Sequence, residues 1–341
     1  MHDIRSMTLS ELTKKLTDMG EKPYRAKQLY SWLHARRAAS YDEMTDLPAA
    51  LRGRLEEEHP LSLPEILHVQ TSRLDGTRKY LFSLADGNMI ESVRMPYHHG
   101  ISVCISSQAG CRMGCRFCAS AIGGLKRSLL PSEMLGQIYR IGLETGERVS
   151  NVVVMGTGEP LDNYDNLLRF IKLLTDPAGA GLSQRAVTVS TCGIVPGIRK
   201  LAEEKLQITL ALSLHAPNDE IRRSLMPVAM KYSMDEVLEA MQAYFEATGR
   251  RITLEYSLIS GVNDGPVHAQ ELSDRIKGKG FHVNLIPVNP VRERSFIRTR
   301  REAVDNFKKI LEKNGINVTI RREMGADIDG ACGQLRARHL S

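Results

Sequence analysis

The spacing of apolar residues changes twice along this chain. From residue 8 to about 60 it is helical. Leu9, Leu12 and Leu16 follow the candidate caps Thr8 and Ser10, and Ala26, Leu29, Tyr30 and Leu33 line one face of a helix over 24–38. A third helix runs from Pro48 to about Glu58. The second helix carries Arg25, Lys27, Arg36 and Arg37 on its other face, where they could grip phosphates or simply face water. Residues 77–95 then alternate as a hairpin about Asp86-Gly87. Its return strand sets Met89, Glu91, Val93 and Met95 on one side. Glu91 is therefore either wet at an edge, or buried with a raised pKa that suits proton transfer.

From Ile101 onward short apolar runs alternate with helical patterns. Strands fall near 101–105, 152–155, 186–190, 208–214, 252–258 and 282–286, and helices near 132–144, 163–175, 195–204, 234–247, 266–278 and 301–314. A last strand at about 316–321 precedes an irregular tail. Six βα units predict an α/β fold on a parallel sheet, barrel-like or doubly wound. In either case ligands sit beyond the carboxyl ends of the strands.

Charge adds a partner class. The net formal charge is +6, and Val291–Ser341 supplies most of it, with 12 Lys and Arg against 7 Asp and Glu. That asymmetry points to a polyanionic partner, with a solvated charged surface as the bland alternative. The first thirty residues are polar, without an apolar leader, and no run is long enough to span a bilayer; the expected location is cytoplasmic, with no membrane partner.

The strand-end rule then meets the most distinctive stretch, Cys111-Arg-Met-Gly-Cys115-Arg-Phe-Cys118. Three thiolates in eight residues suit soft metals. A closed zinc site takes four ligands, and so does a cubane in an electron carrier. Three cysteines would leave one iron open for another ligand, although zinc completed by a distant residue competes. The second strand ends in Gly156-Thr157-Gly158-Glu159-Pro160, where glycines would let a ligand approach backbone and the glutamate could accept from an ammonium group. The other strands end at Ser190-Thr191, Ser213-Leu214-His215 and Asn289, giving one polar rim fit for an adenosine and amino-acid ligand.

The cysteine triad, with Phe117 before its last member and Gly158-Glu159-Pro160 after the second strand, resembles the radical S-adenosylmethionine (SAM) superfamily. Within it the chain is similar over nearly its whole length to the RlmN/Cfr family of RNA methyltransferases. The matching stretches are Cys104-Ile105-Ser106-Ser107-Gln108, Ser213-Leu214-His215-Ala216-Pro217-Asn218, Asn284-Leu285-Ile286-Pro287 and Asp327-Ile328-Asp329-Gly330-Ala331-Cys332-Gly333-Gln334-Leu335. Two small departures, Gly330 where alanine is common and Cys192 where serine is common, leave the match intact; Cys192 reads as packing filler.

That resemblance implies a partial (β/α)6 radical SAM barrel at 101–322, an N-terminal helical RNA-binding domain at 1–72, a β-hairpin extension at 73–100 and a tail at 323–341. It implies a 4Fe-4S cluster on Cys111, Cys115 and Cys118, with SAM held by Gly158, Glu159, Ser190, Ser213, Leu214, His215 and Asn289. Cys332 would carry the methyl group, Cys104 would resolve the adduct, and Glu91, in its buried reading, would accept the ring proton. The implied reaction methylates carbon 2 of adenosine in 23S rRNA and in tRNA, consuming one SAM to methylate Cys332 and a second as radical source, with an unidentified reductase as electron donor. The expected state is a monomer. A Cfr-like carbon-8 methyltransferase is the near alternative, against which Pro160 and Arg321-Arg322 resemble the carbon-2 branch. A non-enzymatic RNA-binding protein with a metal or cluster is the alternative from another class. The tail must fold back over the barrel mouth if Cys104 is to meet Cys332.

Overall fold

Residues 3–289 and 295–328 are described by the computed structural model. In chain order the strands are β1 (Glu65–Thr71), β2 (Arg78–Ser83), β3 (Met89–Tyr97), β4 (Gly100–Ile105), β5 (Gln108–Gly110), β6 (Leu125–Ser128), β7 (Val149–Val154), β8 (Val187–Thr191), β9 (Thr209–Ser213), β10 (Ile252–Leu258), β11 (His282–Pro287) and β12 (Asn317–Ile320). The helices are α1 (Leu9–Asp18), α2 (Tyr24–Tyr30), α3 (Ala49–Glu58), α4 (Pro131–Thr145), α5 (Tyr164–Thr175), α6 (Val195–Glu203), α7 (Asp219–Leu225), α8 (Met234–Thr248), α9 (Pro266–Ile276) and α10 (Arg301–Lys313). Ten strands form one sheet in the order β1-β2-β3-β4-β7-β8-β9-β10-β11-β12. The first four pair antiparallel. From β4 to β12 every pairing is parallel. Among the described residues β12 and β1 have no second neighbour, so the barrel is partial, as the resemblance implied.

Parallel strands buried on both faces usually read as continuous apolar runs. Here they alternate, because only the outer face meets helices. Val103, Ile105, Val152, Val154, Val187, Val189, Leu210 and Leu212 join the main apolar core. The residues between them, among them Cys104, Ser190, Ser213, Glu255 and Asn284, necessarily face the lumen. Helix ends follow local chemistry. Thr8 and Glu11 form a reciprocal cap on α1, Ser233 and Glu236 on α8, and Gly249 closes α8 in the left-handed region.

Several details depart from the sequence reading. β1 lies beyond the segment read as helical but inside the 1–72 helical domain that the resemblance implied; as a largely exposed edge strand it lacks the alternation that marks a half-buried one. The hairpin is thus part of a four-stranded antiparallel meander, β1 to β4. The helix expected over 24–38 is regular only to Tyr30, turns as a π-helix over Ser31–Ala35, and stops where Arg37 adopts a φ of 60°. Its basic face is partly committed. Arg25 donates to the Asp46 carbonyl oxygen at 2.9 Å, and the Arg36 guanidinium lies 4.0 Å over the Trp32 ring. The N-terminal helices share the main core with the barrel, and the Tyr30 hydroxyl donates to Asp176 at 2.8 Å. Among the described residues no helix is long and apolar enough to cross a membrane.

Candidate active site

β4 runs straight into the cysteine loop, and that loop is tied down from several sides. Gln108 holds it to the end of β7, accepting from the Glu159 backbone N–H at 2.9 Å and donating to Asp162 at 3.0 Å. Arg112 forms a two-pronged ion pair with the same Asp162. The Arg116 N–H donates to the Leu225 carbonyl at 2.9 Å, anchoring the loop's far side to α7. The outcome is a cavity of about 260 Å³ walled by Cys111, Cys115 and Cys118 and, across from them, Gly158, Glu159, Ser190, Ser213 and His215. Residues from four strand ends thus meet at the carboxyl rim, as the topology rule requires.

The three thiols form one electrostatic group. Burial pushes the Cys111 thiol up to about 11, and raises Cys115 further, with Cys118 and Cys111 adding repulsion. Such thiols stay protonated until a cation takes them, and a soft cation deprotonates them outright. Among the described residues no three His, Cys, Asp or Glu side chains converge as a single-ion site demands. Three thiols lining one cavity, with no fourth cysteine or histidine from the loop beside them, could hold a soft metal or cluster.

Opposite, Glu159 is buried, which raises its carboxyl pKa, while N–H donors from Cys192 (2.7 Å) and Leu161 (3.0 Å) pull it back. One oxygen takes each donor, leaving lone pairs for an incoming ammonium, whose charge would offset the burial. His215 sits at a φ of 57° and accepts the Ser257 N–H at Nδ1, 2.9 Å. Burial lowers its pKa to about 3, with Arg222 assisting. The ring is therefore neutral, with its proton on Nε2, and stands edge-on to Phe117 with centroids 4.9 Å apart. The Ser190 and Ser213 hydroxyls lie 3.4 Å apart, both on the rim.

Glycine at 156 and 158 is required by the packing of the chain itself. A Cβ on Gly156 would come within 2.7 Å of the Ile105 carbonyl oxygen, and one on Gly158, at a φ of 110°, within 2.8 Å of the Gln108 nitrogen. The Leu214 side chain belongs to the main core, so its backbone is the part that can face a ligand.

A second cavity of about 240 Å³ adjoins the first, sharing Phe117, Cys118, Ser257, Ile286 and Arg321 as common wall. Cys104 and the exposed Asn289 line this second cavity, not the first. Cys104 packs with Val93 and Met95, and Met324 covers them. Glu91 lies one step along the same face of β3 and is buried rather than wet at an edge. Cys332 lies outside the described residues. Cys192 is packed among Leu225, Met226, Ile259 and Val288, consistent with filler.

Two groups at the site escaped sequence reasoning. Lys79 of β2 places Nζ 3.0 Å from Glu91 Oε2, with both side chains buried. Glu255 of β10 borders the first cavity and accepts from Asn284 Nδ2 at 2.9 Å. Burial raises its carboxyl pKa against the pull of Arg321 and Asn284. The lumen-facing alternation of β10 is the signal that could have found Glu255.

A three-thiol loop on the first strand of a partial parallel barrel, facing a glutamate at the end of the second, defines a radical SAM enzyme. The Radical SAM superfamily model matches residues 105–272, and the model described as Ribosomal RNA large subunit methyltransferase N-terminal domain matches 2–60. The chain is 60% identical over 340 residues to the probable dual-specificity RNA methyltransferase RlmN of Lachnospira eligens, covering 100% of this chain and 97% of that one. It is 50% identical to the protein of the same name from Clostridium tetani, at 100% and 97% coverage. A radical SAM methyltransferase structure from Sphaerobacter thermophilus superposes with a TM-score of 0.94 at 42% identity, covering 98% of this chain and 99% of that one. The chain belongs to the RlmN family of radical SAM methyltransferases. It is accordingly a SAM-dependent methyltransferase, and the non-enzymatic alternative falls.

Proposed function

We propose that this enzyme methylates carbon 2 of adenosine in RNA, in the peptidyl-transferase region of 23S rRNA and 3′ of the anticodon in tRNA, through a methyl group carried on Cys332. The observation that carries this reading is the shared wall between the two cavities. A cavity bordered by three thiols lies directly beside one that Cys104 lines. The relatives named above support RNA as substrate.

Carbon 2 lies between two ring nitrogens and is electron-poor, so it will not attack the methyl of SAM. The Cys332 thiolate does so instead, displacing S-adenosylhomocysteine. Cys111, Cys115 and Cys118 would hold the cluster, which when bound supplies the electron that converts a second SAM into a hydrogen-abstracting radical. Glu159 receives the SAM ammonium, with Ser190, Ser213, His215 Nε2–H, the Leu214 backbone and Asn289 orienting the rest. Once the Cys332 methylene is joined to the ring, Glu91 takes the ring proton. The Cys104 thiolate then attacks the Cys332 sulfur, forming a disulfide as the carbon–sulfur bond breaks with its electron pair passing to the methylene, which takes a proton to become the methyl group. The odd electron of the ring adduct would return to the group held by Cys111, Cys115 and Cys118, and an external reductase must reopen the disulfide. A structured adenosine must be extruded to enter such a recessed site, and exposed Lys27 belongs to a face suited to hold the backbone.

The test is an anaerobic assay with transcribed rRNA and tRNA fragments and methyl-labelled SAM. Wild type should yield 2-methyladenosine in both RNAs and Cys332→Ala none. Mass spectrometry showing 8-methyladenosine would favour the Cfr-like reading, and an active Cys332→Ala protein would refute the carrier role.

A further inference from the structure

The turn between β1 and β2 is built as a rigid unit before it touches anything distant. The Ser72 N–H donates to the Thr77 carbonyl at 2.8 Å, and the Ser72 hydroxyl accepts from the backbone of Leu74 and Asp75. Arg94 donates to the Gly76 carbonyl at 3.1 Å, and its guanidinium is in turn paired twice with Glu147 at the entry to β7. The turn is thereby fastened to the barrel.

From this unit three hydrogen bonds cross some 250 residues to the segment after β12. The Ser72 hydroxyl donates to Asp327 Oδ1 at 2.5 Å, and the Arg73 N–H to Asp327 Oδ2 at 2.8 Å. The Gly325 N–H donates to Asp75 Oδ2 at 2.9 Å. Gly325 has a φ of 64°, and a Cβ there would strike Ile328 at 2.9 Å and press on Thr77 at 3.3 Å. Upstream, Glu323 is paired with Arg298, and Met324 lies on the Cys104 cluster. The chain is thus fixed beside Cys104 and fixed again at Asp327, five residues before Cys332.

We propose that the Ser72–Thr77 turn is a clamp for the C-terminal segment, and that Asp327 is a positioning residue setting how far Cys332 can stray from Cys104. The proposal rests on the reading of Cys332 as methyl carrier and adds what aims it. With the clamp closed, five residues allow Cys332 at most about 18 Å from Asp327. With it open, the last fixed point is Met324 and the tether grows from five to eight residues. Effective concentration falls roughly as the −3/2 power of tether length or more steeply, so about twofold is the minimum loss.

The experiment uses the full-length, cluster-loaded protein equilibrated anaerobically in glutathione redox buffers. Oxidised glutathione takes two electrons and two protons from the Cys104–Cys332 pair and leaves as two thiols; peptide mapping measures the disulfide. Asp75→Ala/Asp327→Ala, which opens all three bonds, should lower the effective concentration of the pair at least about twofold, and Asp327→Ala alone, which leaves the Gly325–Asp75 bond, by somewhat less. Asp327→Asn, able to accept only one of the two donors, should fall between Asp327→Ala and wild type. Methyl label on Cys332 should slow in the same order, with iron content and SAM affinity at wild-type values. An Asp75→Ala/Asp327→Ala protein matching wild type in disulfide equilibrium overturns the clamp. So does a loss of iron in step with the disulfide, which would make the contact merely structural. A wild-type protein forming no Cys104–Cys332 disulfide overturns the carrier reading itself.

Discussion

Replacing Lys79 with methionine should destabilise the protein by about 3–5 kcal/mol, as expected when one member of a buried ion pair is removed. The register puts Val93 opposite Lys79 and Leu81 opposite Glu91, so the two charges meet along a diagonal between β2 and β3. Their atoms are 3.0 Å apart and their side chains 0% and 4% exposed. At an effective dielectric of ~20 the gross attraction at that distance is about 5–6 kcal/mol. Taking both ions out of water costs several kcal/mol each, so the intact pair adds little net stability. Removing one partner forfeits the attraction but leaves the other's desolvation unpaid. The double substitution Lys79→Met/Glu91→Met should therefore lie well above the sum of its singles and near wild type. Urea unfolding of the four cluster-free proteins supplies the cycle. A Lys79→Met protein within about 1 kcal/mol of wild type, or a double variant equal to the summed singles, would refute the buried-pair argument.

Three further outcomes are expected. Gly158→Ala should cost upwards of about 3 kcal/mol in the same unfolding assay, because its Cβ meets Gln108 backbone and its φ suits only glycine. Cys192→Ala should retain iron after anaerobic reconstitution while Cys115→Ala loses it, since Cys192 is a packed wall residue; equal loss from both would make Cys192 a ligand. Asp75 is partly desolvated, which raises its pKa, but N–H donors from Gly325 and Thr77 outweigh this and bring it to about 2. A depressed carboxyl contributes stability that is full above its unfolded pKa and lost as pH falls through the folded one. The Gly325 amide resonance should accordingly titrate with a midpoint near pH 2, and a midpoint near 4 would deny the hydrogen bond.

The rim of the barrel was legible because its signals are local. Each strand names its own end, and the carboxyl-end rule assembles Cys111, Glu159, Ser190, Ser213 and His215 without any knowledge of contacts. Register is a different matter. Reading Asp86-Gly87 as a two-residue turn would set Lys79 opposite Arg94 and Phe82 opposite Glu91. The actual loop has three residues, Ala85 to Gly87, with Gly87 at a φ of 79° and the Leu84 N–H donating to the Asn88 carbonyl. That one extra residue slips the strands by a position, which decides the diagonal on which Lys79 reaches Glu91.

The same limit explains why the fate of the buried carboxylates was out of reach. Glu91 and Glu255 occupy strand positions whose alternation says only that they face the lumen. What stabilises each comes from another strand, Lys79 in one case and Asn284 in the other. Each pairing depends on the offset between neighbouring strands, which the periodicity of either strand alone does not encode. The glycines make the converse point. Gly156 and Gly158 sit where a ligand-approach motif would sit, yet the atoms a side chain would strike belong to Ile105 and Gln108. Their requirement is to let the end of β7 close against the loop that carries the cysteines. A ligand motif and a chain-packing motif have the same letters here, and only the distance to the next strand's backbone reveals the packing.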